Sequence, residues 1–139
     1  MGTTATSTKI ATGAAALLLA GGLCAVAAPA ADAVPTGRVD PGIRFSSGTY
    51  GTGCTYPMTV AVNSEGRVTF WEKKAGRGNP PLFIGWSWPQ GGTAAVTWRP
   101  QRIGVRQLYA VQRGFRSNYT TAVVGQGFGI AGICTSLAG

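Results

Sequence analysis

Thr55-Tyr56-Pro57-Met58-Thr59-Val60-Ala61-Val62 is followed by Asn63-Ser64-Glu65-Gly66 and then by Arg67-Val68-Thr69-Phe70-Trp71-Glu72. In the first run Tyr56, Met58, Val60 and Val62 recur at every second position, with Thr55, Thr59 and Ala61 between them. A strand turns successive side chains to opposite faces, so this spacing gathers one apolar face. The second run does the same, with Val68 and Phe70 on one face and Thr69 and Trp71 on the other. The four residues between the runs are turn formers. Pro57 has no N–H to give to a ladder, which places the first strand at a sheet edge or a bulge.

The same alternation continues downstream. Residues 82–88 set Ile84, Trp86 and Trp88 at period two, and residues 93–98 do so with Ala94, Val96 and Trp98. In residues 105–112, Leu108 and Ala110 share a face, with Gln107, Tyr109 and Val111 opposite. Residues 120–124 make the last ordinary strand, before a Gly-rich tail that runs to Cys134. Gly supplies 18 of the 106 residues from Val34 onward and falls mostly between these runs. No ten-residue stretch holds an apolar 3.6-residue period without a Gly or Pro breaking it. Roughly six or seven short strands about ten residues apart predict an all-β, antiparallel sandwich, with a small closed barrel as the other architecture. Trp98 is expected in the core. Of Trp86 and Trp88, one is expected in the core with Ile84 and the other at the sheet edge.

Upstream, the composition changes. Lys9 is the only charge before Asp32, and the stretch between is rich in Ala, Leu, Gly and Val, with Leu17-Leu18-Leu19 at its centre. It ends in Ala28-Pro29-Ala30-Ala31-Asp32-Ala33. A positive start, an apolar middle and a small-residue exit read as a secretory signal peptide over residues 1–33, cut after Ala33 or, alternatively, after Ala30. Gly13, Gly21, Gly22 and Pro29 dilute the run below what a membrane anchor wants. Leu23 before Cys24 is the wrong residue for a lipoprotein site, so Cys24 leaves with the signal. Residues 34–53, with Pro35, Pro41 and several Gly, read as a loose leader, and residues 54–139 as the domain. The expected location is secreted, extracellular, with no transmembrane segment once the signal is gone.

Two cysteines then remain, Cys54 and Cys134. An even count in an exported chain favours a disulfide, which here has one possible intramolecular pairing. Closing a loop of about 80 residues stabilises by roughly 4–5 kcal/mol in the chain-entropy model. Two free thiols are the first alternative. A metal site is the second, and it lacks ligands because the chain has no His. No metal and no cofactor are expected.

Several of these segments resemble bacterial immunoglobulin-like repeats. The stretches that carry the resemblance are Val68-Thr69-Phe70-Trp71, Ile84-Gly85, Gly92-Thr93-Ala94-Ala95-Val96-Thr97-Trp98, and the run from Gly104 in which Leu108, Ala110 and Val111 sit. It covers roughly residues 54–112. Gly51-Thr52-Gly53-Cys54 and the cysteine-ended tail also look like small secreted actinobacterial proteins with one such domain. The resemblance implies an immunoglobulin-like β-sandwich with a non-enzymatic role in adhesion, surface display or binding. Its motifs are core and turn positions, so no functional residue carries over. The chain departs from the pattern in the basic insert of residues 73–81 and in Trp86 and Trp88.

The residue inventory points the same way. Histidine-based acid–base and nucleophilic mechanisms have no histidine to use. The acids from Val34 onward are Asp40, Glu65 and Glu72, placed in the leader, a turn and a strand end, which makes a poor carboxylate pair. The expectation is therefore a non-enzyme. Against those three acids stand eleven basic residues, nine of them Arg. Such a field attracts polyanions, although it also serves plain solubility. Trp71 is expected outward beside Lys73, and Tyr109 outward near Arg113. If their strands are neighbours, one face shows Trp, Tyr and cations together. The alternative is that neighbouring side chains cover both rings. Candidate binding residues are Trp71, Lys73, Lys74, Arg77, Tyr109 and Arg113. Asn118-Tyr119-Thr120 matches a glycosylation sequon.

The function these features favour is a secreted, non-enzymatic interaction module that binds an anionic cell-envelope polymer or a protein partner, and no specific nucleic acid. The alternative is a small-ligand carrier or a protein inhibitor on the same fold. Actinobacterial chromoprotein carriers share the size, but they lean on a second disulfide and an acidic composition, and this chain has neither.

Overall fold

The computed structural model describes residues 35–44, 48–130 and 133–137. The signal-peptide reading of residues 1–33 lies outside the described residues. Those described form no helix and nine strands: β1 (Tyr50–Gly51), β2 (Tyr56–Ala61), β3 (Val68–Lys74), β4 (Leu82–Ser87), β5 (Thr93–Trp98), β6 (Gly104–Gln112), β7 (Phe115–Arg116), β8 (Thr120–Ile130) and β9 (Ile133–Leu137).

Seven strands share one sheet, in the order β1-β8-β6-β3-β4, with β7 beside β6 and β9 beside β8. This sheet curls into a half-barrel. β2 and β5 form a separate antiparallel ribbon. The expected all-β, antiparallel-rich architecture is present, but the strands are not shared between two even sheets. β1 and β8 are parallel, while the other pairs are antiparallel.

One core joins the sheet and the ribbon. Val68, Phe70, Leu108, Ala110, Ala122 and Val124 come from the sheet, and Tyr56, Met58, Val60, Ala94 and Trp98 from the ribbon. Each large apolar side chain buried here contributes roughly 1.5–3 kcal/mol. Tyr50, Tyr56 and Trp98 form an aromatic knot, with Tyr50 lying 4.9 Å from Tyr56 and 5.1 Å from Trp98 between ring centres. Their polar atoms are satisfied: the Gly51 N–H donates to the Tyr56 hydroxyl, and the Tyr50 hydroxyl donates to the Gly42 carbonyl. Trp98 is in the core, as its alternation predicts.

Three segments differ from the sequence reading. First, the described part of residues 34–53 belongs to the packed structure. Val39 and Tyr50 are core residues, Pro35 pairs with Val62, and Asp40 and Thr59 exchange two backbone hydrogen bonds of 2.8 Å. The segment covers the edge of β2 that β5 leaves open, the edge where Pro57 cannot donate. Second, neither Trp86 nor Trp88 is in the core; they are 52% and 60% exposed. Phe70 pairs with Gly85, whereas Trp71 pairs with Phe83, so Ile84 is an extra residue in a β-bulge. The bulge reverses the alternation. Ile84 packs against the core, while Phe83 and Trp86 pair with Trp71 and Thr69 of the other face.

Third, the described part of the Gly-rich tail is itself strand, beyond the last strand expected. β8 runs on to Ile130, pairing β6 with its first half and β9 with its second. Cys54 is bonded to Cys134 of β9, with 5.7 Å between their Cα atoms. The bridge therefore fastens the start of the domain to the tail, close to the short parallel pair of β1 and β8.

Candidate functional site

The outer face of the large sheet carries the candidate site. β3 alternates Val68, Phe70 and Glu72 inward against Thr69, Trp71 and Lys73 outward. β6 pairs with it in register, so that Trp71 stands opposite Tyr109 and Lys73 opposite Gln107. The Trp71 indole N–H donates to the Thr69 hydroxyl at 3.0 Å, and that hydroxyl donates to the Val111 carbonyl at 3.2 Å. These bonds fix the Trp71 ring against the sheet. Phe83 meets its edge at 5.2 Å between centres.

Across β6 the face becomes cationic. Tyr119, just before β8, packs edge-on against Tyr109 at 5.4 Å. Arg116 lies over Tyr119 at 4.5 Å and over Tyr109 at 5.7 Å, and donates to the Tyr119 hydroxyl at 2.6 Å. Lys73 lies over the Tyr119 ring at 4.6 Å. At the other side Arg67 lies 5.9 Å above Trp86. The face is thus a band of five aromatic rings with three cations held against them. Exposed cation–π contacts of this kind are worth about 0.5–1 kcal/mol each. Among the described residues the carboxylates are Asp40, which accepts from the Gly42 N–H, Glu65 in the turn before β3, and Glu72, buried on the inner face, and none of them is ion-paired with these cations.

Of the residues singled out in the sequence, Trp71, Lys73 and Tyr109 come together on this band. Lys74 follows the inward alternation of β3 and emerges at the end of the domain, while Arg77 is at an exposed turn of the β3–β4 loop. Arg113 is not the cation beside Tyr109. It adopts a left-handed backbone (φ 48°) in the two-residue turn between β6 and β7, and its guanidinium faces Gly66. Arg116 takes the place expected of it. Tyr109 itself is 9% exposed, beneath Tyr119 and Arg116, so the accessible rings of the band are Phe83 and Trp86 at 53% and 52%. Phe83, Arg116 and Tyr119 are not among the binding candidates read from the sequence, and Trp86 stands out there only as a departure from the family pattern.

The covering of Tyr109 has a chemical consequence. Burial raises its hydroxyl above the ordinary value of 10.0, Tyr119 adds to the rise, and Arg116 opposes it. A raised value favours the protonated form in the folded protein. That contribution to stability is complete below pH 10.0 and is lost as pH rises through the higher folded value. Arg116→Gln removes the opposing cation and should move Tyr109 ionisation to still higher pH, as followed by its ring resonances. No movement, or a downward one, would contradict this arrangement.

No family model, curated protein or solved structure matches the chain. Among the described residues, no helix is long and apolar enough to cross a membrane.

Proposed function

We propose that this protein is an exported, non-enzymatic interaction module and that the aromatic–cationic band binds an anionic polymer of the cell envelope. The observation that carries the proposal is the pairing of accessible rings with cations that, among the described residues, form no ion pair with a carboxylate. Rings offer flat apolar contact to sugar or glycerol units, while Arg67, Lys73 and Arg116 attract the charges between them. A rigid sheet presents both, so little ordering opposes binding. The disulfide is compatible with an extracellular setting. The immunoglobulin-like reading draws support from Val68, Phe70, Ala94, Leu108 and Ala110, residues of the resembling stretches that are core residues here.

The test is co-sedimentation of the disulfide-bonded protein with purified poly(glycerol phosphate)-bearing cell walls. Trp86→Ala combined with Arg116→Gln should weaken binding about tenfold, the effect of losing interface anchors. Binding should also fall as salt rises. Unchanged binding by the double variant would remove the band from the account, and capture of a protein in place of the polymer would reassign its partner.

A further inference from the structure

We infer that the end of the domain formed by the β3–β4 loop and the turn before β6 is a headgroup site for an anionic phospholipid. A pocket of about 280 Å³ opens there, between Lys74, Pro80 and Leu82 on one side and Arg102, Ile103 and Arg106 on the other. None of its lining residues belongs to the aromatic band, and the inference does not depend on the polymer reading.

Two of the three cations that line the pocket have no ion-pair partner among the described residues. Arg106 is buried and forms an ion pair with Glu72 at 3.4 Å. The other Glu72 oxygen accepts from the Trp98 indole N–H at 2.8 Å, so both carboxylate oxygens are engaged. Among the described residues that ion pair is the only one, which leaves Lys74 and Arg102 without an anionic partner. Two cations at the mouth of one pocket fit a phosphate, whose oxygens can accept from both.

The walls are already in place. Arg106 donates from Nε to the Arg102 carbonyl at 3.2 Å and from Nη2 to the Ile103 carbonyl at 3.0 Å, which holds the turn. The Ala75 N–H donates to Val105 at 3.1 Å and the Asn79 amide donates to Ala75 at 3.2 Å, which holds the loop. Binding therefore needs little reorganisation.

The rim selects the source of the phosphate. Ile103 is 57% exposed and Leu82 39%, both beside the cations. A fully polar polyanion would use Lys74 and Arg102 and leave these aliphatic side chains in water. A phospholipid in a bilayer uses both, because the headgroup meets the cations while Ile103 and Leu82 enter the interface.

The experiment measures partition of the disulfide-bonded protein onto phosphatidylglycerol–phosphatidylcholine vesicles and onto pure phosphatidylcholine vesicles. The expected result is selective binding to the anionic vesicles. It should fall about thirtyfold in Lys74→Gln/Arg102→Gln, at roughly fivefold per cation lost from a membrane surface. Lys73→Gln/Arg116→Gln on the aromatic band removes the same charge and should cost far less. Ile103→Ser should also weaken binding. Equal losses in the two charge-matched variants would overturn the site and leave only the overall field. Full binding by Ile103→Ser would overturn the selection of a bilayer by the apolar rim and leave recognition of the phosphate alone. The pocket variants replace exposed side chains, so their folds should stand. In the wild-type protein, broadening of the Ile103 and Leu82 methyl resonances by spin-labelled lipid gives a second reading, and its absence would overturn the proposal. Failure here leaves wall-polymer binding by the band untouched, and failure of the band leaves this result untouched.

Discussion

Gly127→Ala should destabilise the protein by more than about 4 kcal/mol, beyond the usual cost of overpacking, because the new methyl group would meet backbone. A Cβ at this position would collide with the Thr52 carbonyl oxygen and stand 2.7 Å from the Thr52 nitrogen. No rotamer change relieves such a contact. Thr52 is also tied down, because its N–H donates to the Gly125 carbonyl at 3.1 Å and its hydroxyl accepts from the Gly127 N–H at 3.0 Å. A Cβ at Gly51 would in turn meet the Cys54 sulfur at 2.7 Å and the Gly127 Cα at 2.9 Å. The two glycines thus let residues 51–52 lie directly against β8 beside the disulfide, and separating them would pull on the bridge. Gly129→Ala is the control. It sits two residues further along the same strand, and a Cβ there would have nothing within 4 Å. Its effect should range from neutral to a gain of about 0.4–1 kcal/mol through the unfolded chain. Urea unfolding of the oxidised variants measures both. Similar midpoints for the two would show that the close approach of β1 and β8 does not govern stability.

That close approach has no mark in the strand pattern, and the fold was legible in the sequence only in part. Where the alternation runs unbroken, as in residues 68–72 and 105–112, it gives the correct face for every residue, including Trp71 and Tyr109. A period-two pattern carries no information about where an extra residue enters. The bulge at Ile84 moves Trp86 from the inner face to the outer, and the signal available was Gly85 inside a strand, a common mark of a bulge. The band lost Arg116 for a related reason. Arg113-Gly114 closes a two-residue hairpin with positive φ at both positions. Gly at the second position suits that turn, but Arg at the first is not the Asn or Asp that would announce it. The leader reads as loose because Pro35, Pro41 and five Gly interrupt it. Its order comes from contacts with β2 and β8, and such long-range pairing has no local signature.

Glu72→Ala should cost about 3–5 kcal/mol, the usual consequence of removing one partner from a buried ion pair. Sequence position makes Glu72 look like a strand end, yet it shares its alternation with Val68 and Phe70 and is only 5% exposed. Its oxygens receive the Trp98 indole N–H at 2.8 Å and face Arg106 Nε at 3.4 Å. Removing it leaves a buried guanidinium without a counter-ion and a core indole without an acceptor, and each is costly. Arg106 keeps its bonds to the Arg102 and Ile103 carbonyls, so the damage should concentrate where Trp98 meets β3. The paired replacement Glu72→Leu/Arg106→Met separates the mechanisms. If the penalty comes from an uncompensated charge, the double variant should recover most of the loss, since apolar substitutes for a buried pair are often neutral or stabilising. If the pair instead matters by orienting Trp98 and the turn before β6, the double variant should stay as unstable as Glu72→Ala, and the Ile103 resonances should shift. Urea unfolding of Glu72→Ala, Glu72→Leu, Arg106→Met and the double variant decides between them, and the expected result is a double variant less destabilised than the sum of Glu72→Leu and Arg106→Met.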